Sequence, residues 1–220
     1  MEIIYRTHIK KAFEDAIISK SKINDEILSI HGMTGVYTRH FYNNLLTMDD
    51  ARYLEIGTWA GSSVCSAMFK NKAKVVCVDN WSQYDGPKEM FLNNFNKFKG
   101  ENNASFIEKD CYSIDVTTLP KFNIYLYDGD HSHESHYKAL SHFYDCLDDI
   151  FIYIVDDWNW HSVRNGTNDA ISNLNLEVLY DKEVRLTLNE DHTPMDIAHR
   201  TWWNGIYVAV LKKRGVLNKN

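Results

Sequence analysis

Two acidic stations punctuate the second half of the sequence. Asp128-Gly129-Asp130 follows the apolar run Phe122 to Tyr127, and Asp156-Asp157 follows the run Ile150 to Val155. Each run reads as a strand of about six residues, buried on both faces. Carboxylates at the ends of such strands fall where ligands bind in open α/β sheets. The stretch between them, His133 to Leu147, is long enough for one helical crossover, so the two strands are parallel neighbours. Three or four carboxylates then share one crevice and repel one another. A divalent cation, Mg²⁺ or Mn²⁺, is the simplest remedy, because such ions take hard oxygen ligands. Turn acids and N-caps would account for Asp130 alone. They do not explain two doublets at adjacent strand ends.

A second constellation precedes the first. Glu55-x-Gly57-x-x-x-Gly61 leaves an apolar run, Arg52 to Ile56, and enters a helical stretch. The glycines permit a sharp turn and close backbone approach to a ligand. Asp79 closes the next strand about twenty residues on, a spacing that suits a carboxylate gripping ribose hydroxyls. A nucleoside is therefore expected. A dinucleotide site carries G-x-G-x-x-G, whose middle glycine makes room for pyrophosphate. Here that position is Trp59, which argues against a nicotinamide-dependent oxidoreductase. S-adenosylmethionine has no phosphates, and its amino acid end could be held by Glu55 and nearby backbone.

These stations need a scaffold, and the remaining sequence supplies one. Helices are expected at Lys10 to Ser21, Thr38 to Thr47, Ser62 to Lys70, Lys88 to Phe98, His133 to Leu147 and Gly166 to Leu174. Strands are expected at Arg52 to Ile56, Lys74 to Val78, Ser105 to Glu108, Phe122 to Tyr127 and Ile150 to Val155. Ile114 to Leu119 reads as a short helix or turn. Leu176 to Tyr180 and Ile206 to Leu211 read as late antiparallel strands. Alternating strands and helices predict an α/β fold: a doubly wound, mostly parallel, seven-stranded Rossmann-like sheet with an antiparallel last strand. Residues 1–50 form an N-terminal helical prefix that packs on the sheet or caps the site, and residues 51–214 form the main domain.

From Gly32 to Leu211 the chain resembles the class I S-adenosylmethionine-dependent methyltransferases. "YLEIGTWAGSS" is similar to their first motif and "VVCVDNW" to their second. The resemblance implies that Gly57 and Gly61 line the cofactor and that Asp79 bonds the ribose. It places Asp110 and Cys111 near the adenine, with Trp81 against the adenine ring. "YDGDHSHES" and "VDDWNW" narrow the likeness to metal-dependent O-methyltransferases of the macrolide and aminocoumarin sugar type. That likeness implies metal ligands at Asp128, Asp156 and Asp157 and a general base at Asp130. One departure stands out. The sugar enzymes carry Leu-Tyr after D-G-D, whereas this chain has His131-Ser132-His133. His131 is thus a rival base, since imidazole titrates near neutrality. His133, His136 and His142 are expected on a polar helix face. A zinc site of H-x-H-x-x-H form lacks the usual i, i+4 helical pair.

The acceptor side is expected from Trp158, Trp160 and His161, and from Trp202, Trp203 and Asn204. Aromatic faces with polar edges suit a sugar or phenolic ring. Arg164 and Asn165 are candidate contacts for an anionic or polyhydroxyl acceptor. His31-Gly32-Met33-Thr34-Gly35, followed by Arg39 and His40, is a candidate lid hinged on its glycines. Lys182 to Thr201 is polar and irregular and reads as a substrate loop or an oligomer contact.

Composition sets the outer bounds. A chain of 220 residues supports one sizeable domain, and a net charge of −6 argues against a nucleic-acid or anionic-membrane binder. Met1 to Phe13 has no apolar core of signal-peptide length, and no run could span a bilayer. Cys65, Cys77, Cys111 and Cys146 form no C-x-x-C pair, which favours small buried hydrophobes and a reducing cytoplasm. The combined expectation is a cytoplasmic O-methyltransferase acting on a sugar or related polyhydroxyl compound, free or in a glycan. A homo-oligomer is compatible with it. The alternatives are a metal-independent methyltransferase using His131 or Asp130, and a non-catalytic nucleoside-binding protein.

Overall fold

The computed structural model describes residues 1–214. Seven strands form one sheet in the order β3-β2-β1-β4-β5-β7-β6. They are β1 (Arg52–Ile56), β2 (Lys74–Asp79), β3 (Asn103–Glu108), β4 (Phe122–Tyr127), β5 (Leu147–Asp156), β6 (Leu176–Val184) and β7 (Ile206–Lys213). The first five run parallel, and β7 is antiparallel to both β5 and β6. The expected doubly wound sheet is what forms. Of the polar tail expected to fray, Lys212 and Lys213 extend β7, and residues 215–220 lie outside the described residues.

The helices are α1 (Glu2–Ala16), α2 (Asp25–Leu28), α3 (Val36–Leu45), α4 (Ser62–Met68), α5 (Lys88–Phe98), α6 (His133–Phe143), α7 (His161–Asn173) and α8 (Met195–Ala198). Alternation along the buried strands feeds two cores. Ile124, Leu126, Ile152 and Ile154 point to the face covered by α1, α3, α4 and α5. Tyr125, Tyr127, Tyr153 and Val155 point to the face covered by α6 and α7. Period-two side chains on a strand with both faces covered give the unbroken apolar runs seen in the sequence. Among the described residues no helix is long and apolar enough to cross a membrane.

Several boundaries differ from expectation. The first helix begins at Glu2 and ends at Ala16, not Lys10 to Ser21, because Tyr5, Ile9, Ala12, Phe13 and Ala16 form its buried stripe. Ser19 then takes φ 54° and turns the chain. The crossover helix stops at Phe143, since Leu147 already belongs to β5. Helix α7 starts at His161 and carries Gly166 in its interior. A Cβ there would meet His133 O at 2.3 Å, so the glycine is required by the close approach of α6.

The N-terminal prefix shares the main core: Tyr5 and Phe41 pack in one cluster with Val64, Phe91 and Ile124. Two polar devices fix it there. The first N–H groups of α3, from Val36 and Tyr37, donate to the carbonyls of His199 and Thr201 at 2.9 and 3.1 Å. These would otherwise be orphan donors at a helix start. Asn43, fully buried, donates from Nδ2 to the carbonyls of Ser66 and Phe69 at 2.8 and 2.9 Å. Its Oδ1 accepts from the Lys22 amide at 2.9 Å. Asn43 therefore joins the prefix to the end of α4. Replacing Asn43 with Ala strands three backbone groups, and we expect a loss of about 2–4 kcal/mol of stability, measured by urea denaturation. A loss below about 0.5 kcal/mol would show that these groups find other partners.

Candidate functional site

Strand register sets the site. Ile56 pairs with Val78 on one side and Tyr127 on the other, and Tyr127 pairs with Val155. The next residues, Gly57, Asp79, Asp128 and Asp156, therefore emerge side by side at one edge of the sheet. A cavity of about 360 Å³ opens there and is lined by all four. Its size suits a small ligand or cofactor. Asp110, Cys111, Asp130, His131 and Asp157 line it as well.

At one end Asp79 is half-buried and ties two turns together. Its Oδ2 accepts the amides of Thr58 and Trp59 at 2.9 and 2.8 Å, and its Oδ1 accepts the Trp81 amide at 2.7 Å. A carboxylate offers about four acceptor sites, so one stays free for a ligand hydroxyl. Gly57 has φ 87°, and a Cβ on it would lie 1.8 Å from the Asp128 carbonyl oxygen. The glycine is needed for the β1 turn to approach the end of β4. Trp59, at φ 43°, puts its ring in the wall and donates its indole N–H to Tyr84 O at 2.9 Å. Asp110 caps a short turn by accepting the Tyr112 amide at 2.9 Å. Burial pushes the Cys111 thiol up to about 12.

Three residues expected at the cofactor do not line this cavity. Glu55 is fully buried beneath it, accepting from Tyr53 Oη at 2.6 Å and from Ser63 Oγ at 2.5 Å. Burial raises its carboxyl to about 7. Gly61, at φ 88°, starts α4 and faces the Phe91 ring. Trp81 packs in the core, 5.0 Å from Phe91, and donates its indole N–H to Trp59 O at 2.8 Å. Each packs outside the cavity lining and supports the turn. The strand-turn-helix pattern alone could not separate these roles.

At the other end three acids converge. Asp156 and Asp157 are buried, and Oδ1 of each lacks a hydrogen-bond partner. Burial and the mutual repulsion of the acids hold Asp128 and Asp156 well above the usual carboxylate range. Burial also raises Asp157, opposed by His131 beside it. His131 Nε2 lies 3.0 Å from Asp157 Oδ2. The ligand atoms that lie within 4.8 Å of one another come from Asp128, His131 and Asp157. Asp156, expected as the third ligand, is outside that set. Asp157 itself sits at φ 56°. Buried, unpartnered carboxylate oxygens beside an imidazole fit a divalent cation.

Asp130 is exposed at the rim. Its carboxylate accepts the Ser132 hydroxyl and amide, which hold it below the usual carboxylate range. That makes it a weak base. His136, expected on a polar helix face, is fully buried, and neither ring nitrogen has a partner. Burial drops its pKa to about 3. His133 instead pairs with Asp169 on the surface at 2.8 Å, so no zinc set forms from His131, His133 and His136.

The acceptor wall is only partly the expected one. Trp160 and Trp203 line the cavity, Trp203 at φ 58°. Trp158 does not: it stacks on Tyr207 at 4.3 Å. Trp202 sits in the core 4.9 Å from Phe13. Arg164 donates to the carbonyls of Trp158 and Asn159, Asn165 reaches His161, and neither lines the cavity. The glycine segment is anchored, not hinged. A Cβ on Gly35 would meet Thr201 O at 2.1 Å, and Arg39 donates to the carbonyls of Thr34, Ile27 and Leu28. Only Met33 of that segment reaches the cavity.

His192 went unnoticed in the polar stretch before β7. It lines the cavity, with its ring 5.0 Å from Trp160. Buried Asn159 and Asn204 place its loop. Asn159 Oδ1 accepts the Leu186 amide at 2.8 Å, Asn159 Nδ2 donates to Thr193 Oγ1 at 3.0 Å, and Asn204 Oδ1 accepts the Thr193 amide at 2.9 Å. No periodic signal marks such a loop.

Residues 54–158, just under half of the chain, match a family model described as a methyltransferase domain. No curated protein matches the chain in sequence. Solved structures share the fold. TrmN from Thermus thermophilus superposes with a TM-score of 0.58 at 12% identity, over 86% of this chain and 52% of that one. This chain thus spans about half the length of that protein. The O-methyltransferase from Bacillus cereus in complex with SAH gives 0.56 at 12% identity, over 94% and 91%. The ribosomal protein L11 methylase from Lactobacillus delbrueckii subsp. bulgaricus gives 0.53 at 12%, over 81% and 78%. Residues 54–158 thus resemble a methyltransferase domain, and the chain as a whole shares the fold of these structures.

A carboxyl whose pKa is higher in the folded than in the unfolded protein favours folding at low pH. That contribution fades as pH rises from about 4 through the raised pKa. Asp156→Asn should therefore stabilise the metal-free protein at pH 7.5 by on the order of 1 kcal/mol, with the gain shrinking toward pH 4.5. Thermal unfolding in EDTA at both pH values checks this. A variant equally destabilised at both would mean that Asp156 is held by unrecognised partners.

Proposed function

We propose that the protein transfers the methyl group of S-adenosylmethionine to a hydroxyl of a sugar or related small polyhydroxyl compound, with a divalent ion at the acidic end of the cavity. The observation that carries this reading is the continuity of one cavity. Its Asp79–Asp110 end fits a nucleoside, and it opens directly onto the Asp128–Asp157 end with its unpartnered oxygens. The likeness of "DGDHSHES" and "VDDWNW" to the sugar O-methyltransferases supports the choice of acceptor.

Gly57, Asp79, Asp110 and Cys111 would hold the cofactor, whose sulfonium supplies an activated methyl group. Asp128 and Asp157 would hold the ion, which lowers the pKa of an acceptor hydroxyl. Asp79 offers its free acceptor site to the ribose. Trp160 and Trp203 form flat walls against which a sugar ring can lie, and they exclude water from the reacting hydroxyl. Holding that hydroxyl in line with the methyl group is worth much of the rate. Asp130 stands at the rim, where it can take a proton only from a hydroxyl already made acidic.

A second reading rests on the 3.0 Å contact between His131 and Asp157. Without a metal, Asp157 would orient His131, and His131 would remove the acceptor proton. The acceptor would then be a small molecule or glycan bound through the aromatic wall alone.

Calorimetric titration of S-adenosylhomocysteine, in Mg²⁺ and again in EDTA, tests the cofactor. Binding is expected in both, and its absence would return the chain to a nucleoside-binding domain of other purpose. Asp79→Ala should weaken that binding about tenfold or more, and an unchanged affinity would place the ribose elsewhere. Asp128→Ala and Asp157→Ala should each remove metal-dependent methyl transfer in a screen of sugars and nucleotide sugars. Near-normal turnover in Asp128→Ala with loss in Asp157→Ala, or full turnover in EDTA, would favour the histidine reading instead, and near-normal turnover in both variants would sink both.

A further inference from the structure

The acidic end of the cavity contains a nitrogen donor. Asp128, Asp157 and His131 bring their ligand atoms within 4.8 Å of one another, whereas Asp156 stands outside the set. Two donors bound side by side on an octahedral ion, with bonds of about 2.1 Å, lie about 3.0 Å apart. His131 Nε2 and Asp157 Oδ2 already have that spacing, at 3.0 Å. A second observation points to a cation. Asp157 is 5% exposed and lines the same cavity, and its other oxygen, Oδ1, is buried with no hydrogen-bond partner among the described residues.

We infer that His131 is a metal ligand, and that the site takes a first-row transition ion, Mn²⁺ through Zn²⁺, in preference to Mg²⁺. The inference rests on the divalent-ion reading above and withdraws His131 from the role of proton acceptor. The chemistry runs as follows. Mg²⁺ takes oxygen donors and gives up its waters reluctantly, so an imidazole adds little to its binding. Imidazole suits Mn²⁺, Co²⁺ and Zn²⁺ progressively better. The position of His131 explains the geometry. It follows Asp128 by three residues in the turn before α6, and its carbonyl accepts the Ser162 hydroxyl at 2.9 Å. That bond fastens the turn to α7 and holds the ring toward β5.

The test titrates Mg²⁺, Mn²⁺ and Co²⁺ separately into the full chain loaded with S-adenosylhomocysteine, for the wild type, His131→Asn and Asp157→Asn. Calorimetry gives affinities, and visible absorption of bound Co²⁺ reports a nitrogen donor. Cofactor-product affinity in each variant serves as the folding control. In the wild type Co²⁺ and Mn²⁺ should bind at least tenfold more tightly than Mg²⁺. His131→Asn should weaken Co²⁺ by about tenfold to a hundredfold, shift its absorption bands, and leave Mg²⁺ within about threefold. Asp157→Asn should weaken all three. If Mg²⁺ binds and His131→Asn changes neither the Co²⁺ affinity nor the spectrum, His131 is no ligand, while the divalent-ion reading stands. If no ion binds the wild type at millimolar concentration, both fall together.

Discussion

Asp128, Asp156 and Asp157 enter one crevice from parallel strands, and the apolar sheet beneath strengthens their repulsion. Electrostatic energies rise as the local dielectric falls, so neighbouring carboxylates at a dry sheet edge are costly. Parallel pairing leaves little escape. With Tyr127 opposite Val155, the following acids come out at the same level. The surroundings supply partial relief only: among the described residues His131, Asn204 and His192 offset the burial of Asp157. Much else follows from holding this arrangement. Gly57 lets the first turn press against the Asp128 carbonyl, and the aromatic faces of Tyr125 and Tyr153 stack beneath at 5.2 Å. The site is a place where folding stability is surrendered to keep charge available for a ligand.

The sequence and the structure agree where one periodic signal dominated. β1, β4 and α5 begin and end at the expected residues, because a continuous apolar run or a 3.6-residue stripe is bounded there by polar breaks. α1 starts eight residues before the expected Lys10, because its buried stripe begins at Tyr5 and Ile9, whereas Ile17 and Ile18 past its end stay exposed. The acids could be located because strand ends are readable from strands. Partners that arrive through loops could not. His192 depends on amide side chains far away in the chain, and the burial of His136 depends on how closely α6 and α7 pack around Gly166. The cofactor motif misled in a different way. Its strand, turn and helix form where expected, but Glu55, Gly61 and Trp81 pack outside the cavity lining.

The two ends of the cavity are held by different means. The Asp79 end hangs on main-chain register and on one carboxylate that grips three amides. The aromatic wall is assembled from segments distant in sequence: Met33 before α3, Trp160 before α7, His192 and Trp203 before β7. Buried asparagines and the capping of α3 by the 199–201 carbonyls secure these segments. Loops held by side-chain amides can change their exposed residues without disturbing the sheet. The Asp79 end is thereby insulated from change in the aromatic wall.

Trp59, Asp157 and Trp203 all adopt left-handed backbone, and all three line the cavity. Such a conformation costs a non-glycine residue on the order of 1–3 kcal/mol. Glycine at any of the three would relax the chain and erase the side chain. These positions are therefore the ones at which selection for robustness and selection for activity pull in opposite directions. A lineage drifting toward greater thermal tolerance would find its easiest gains there, and would dismantle its own cavity in taking them.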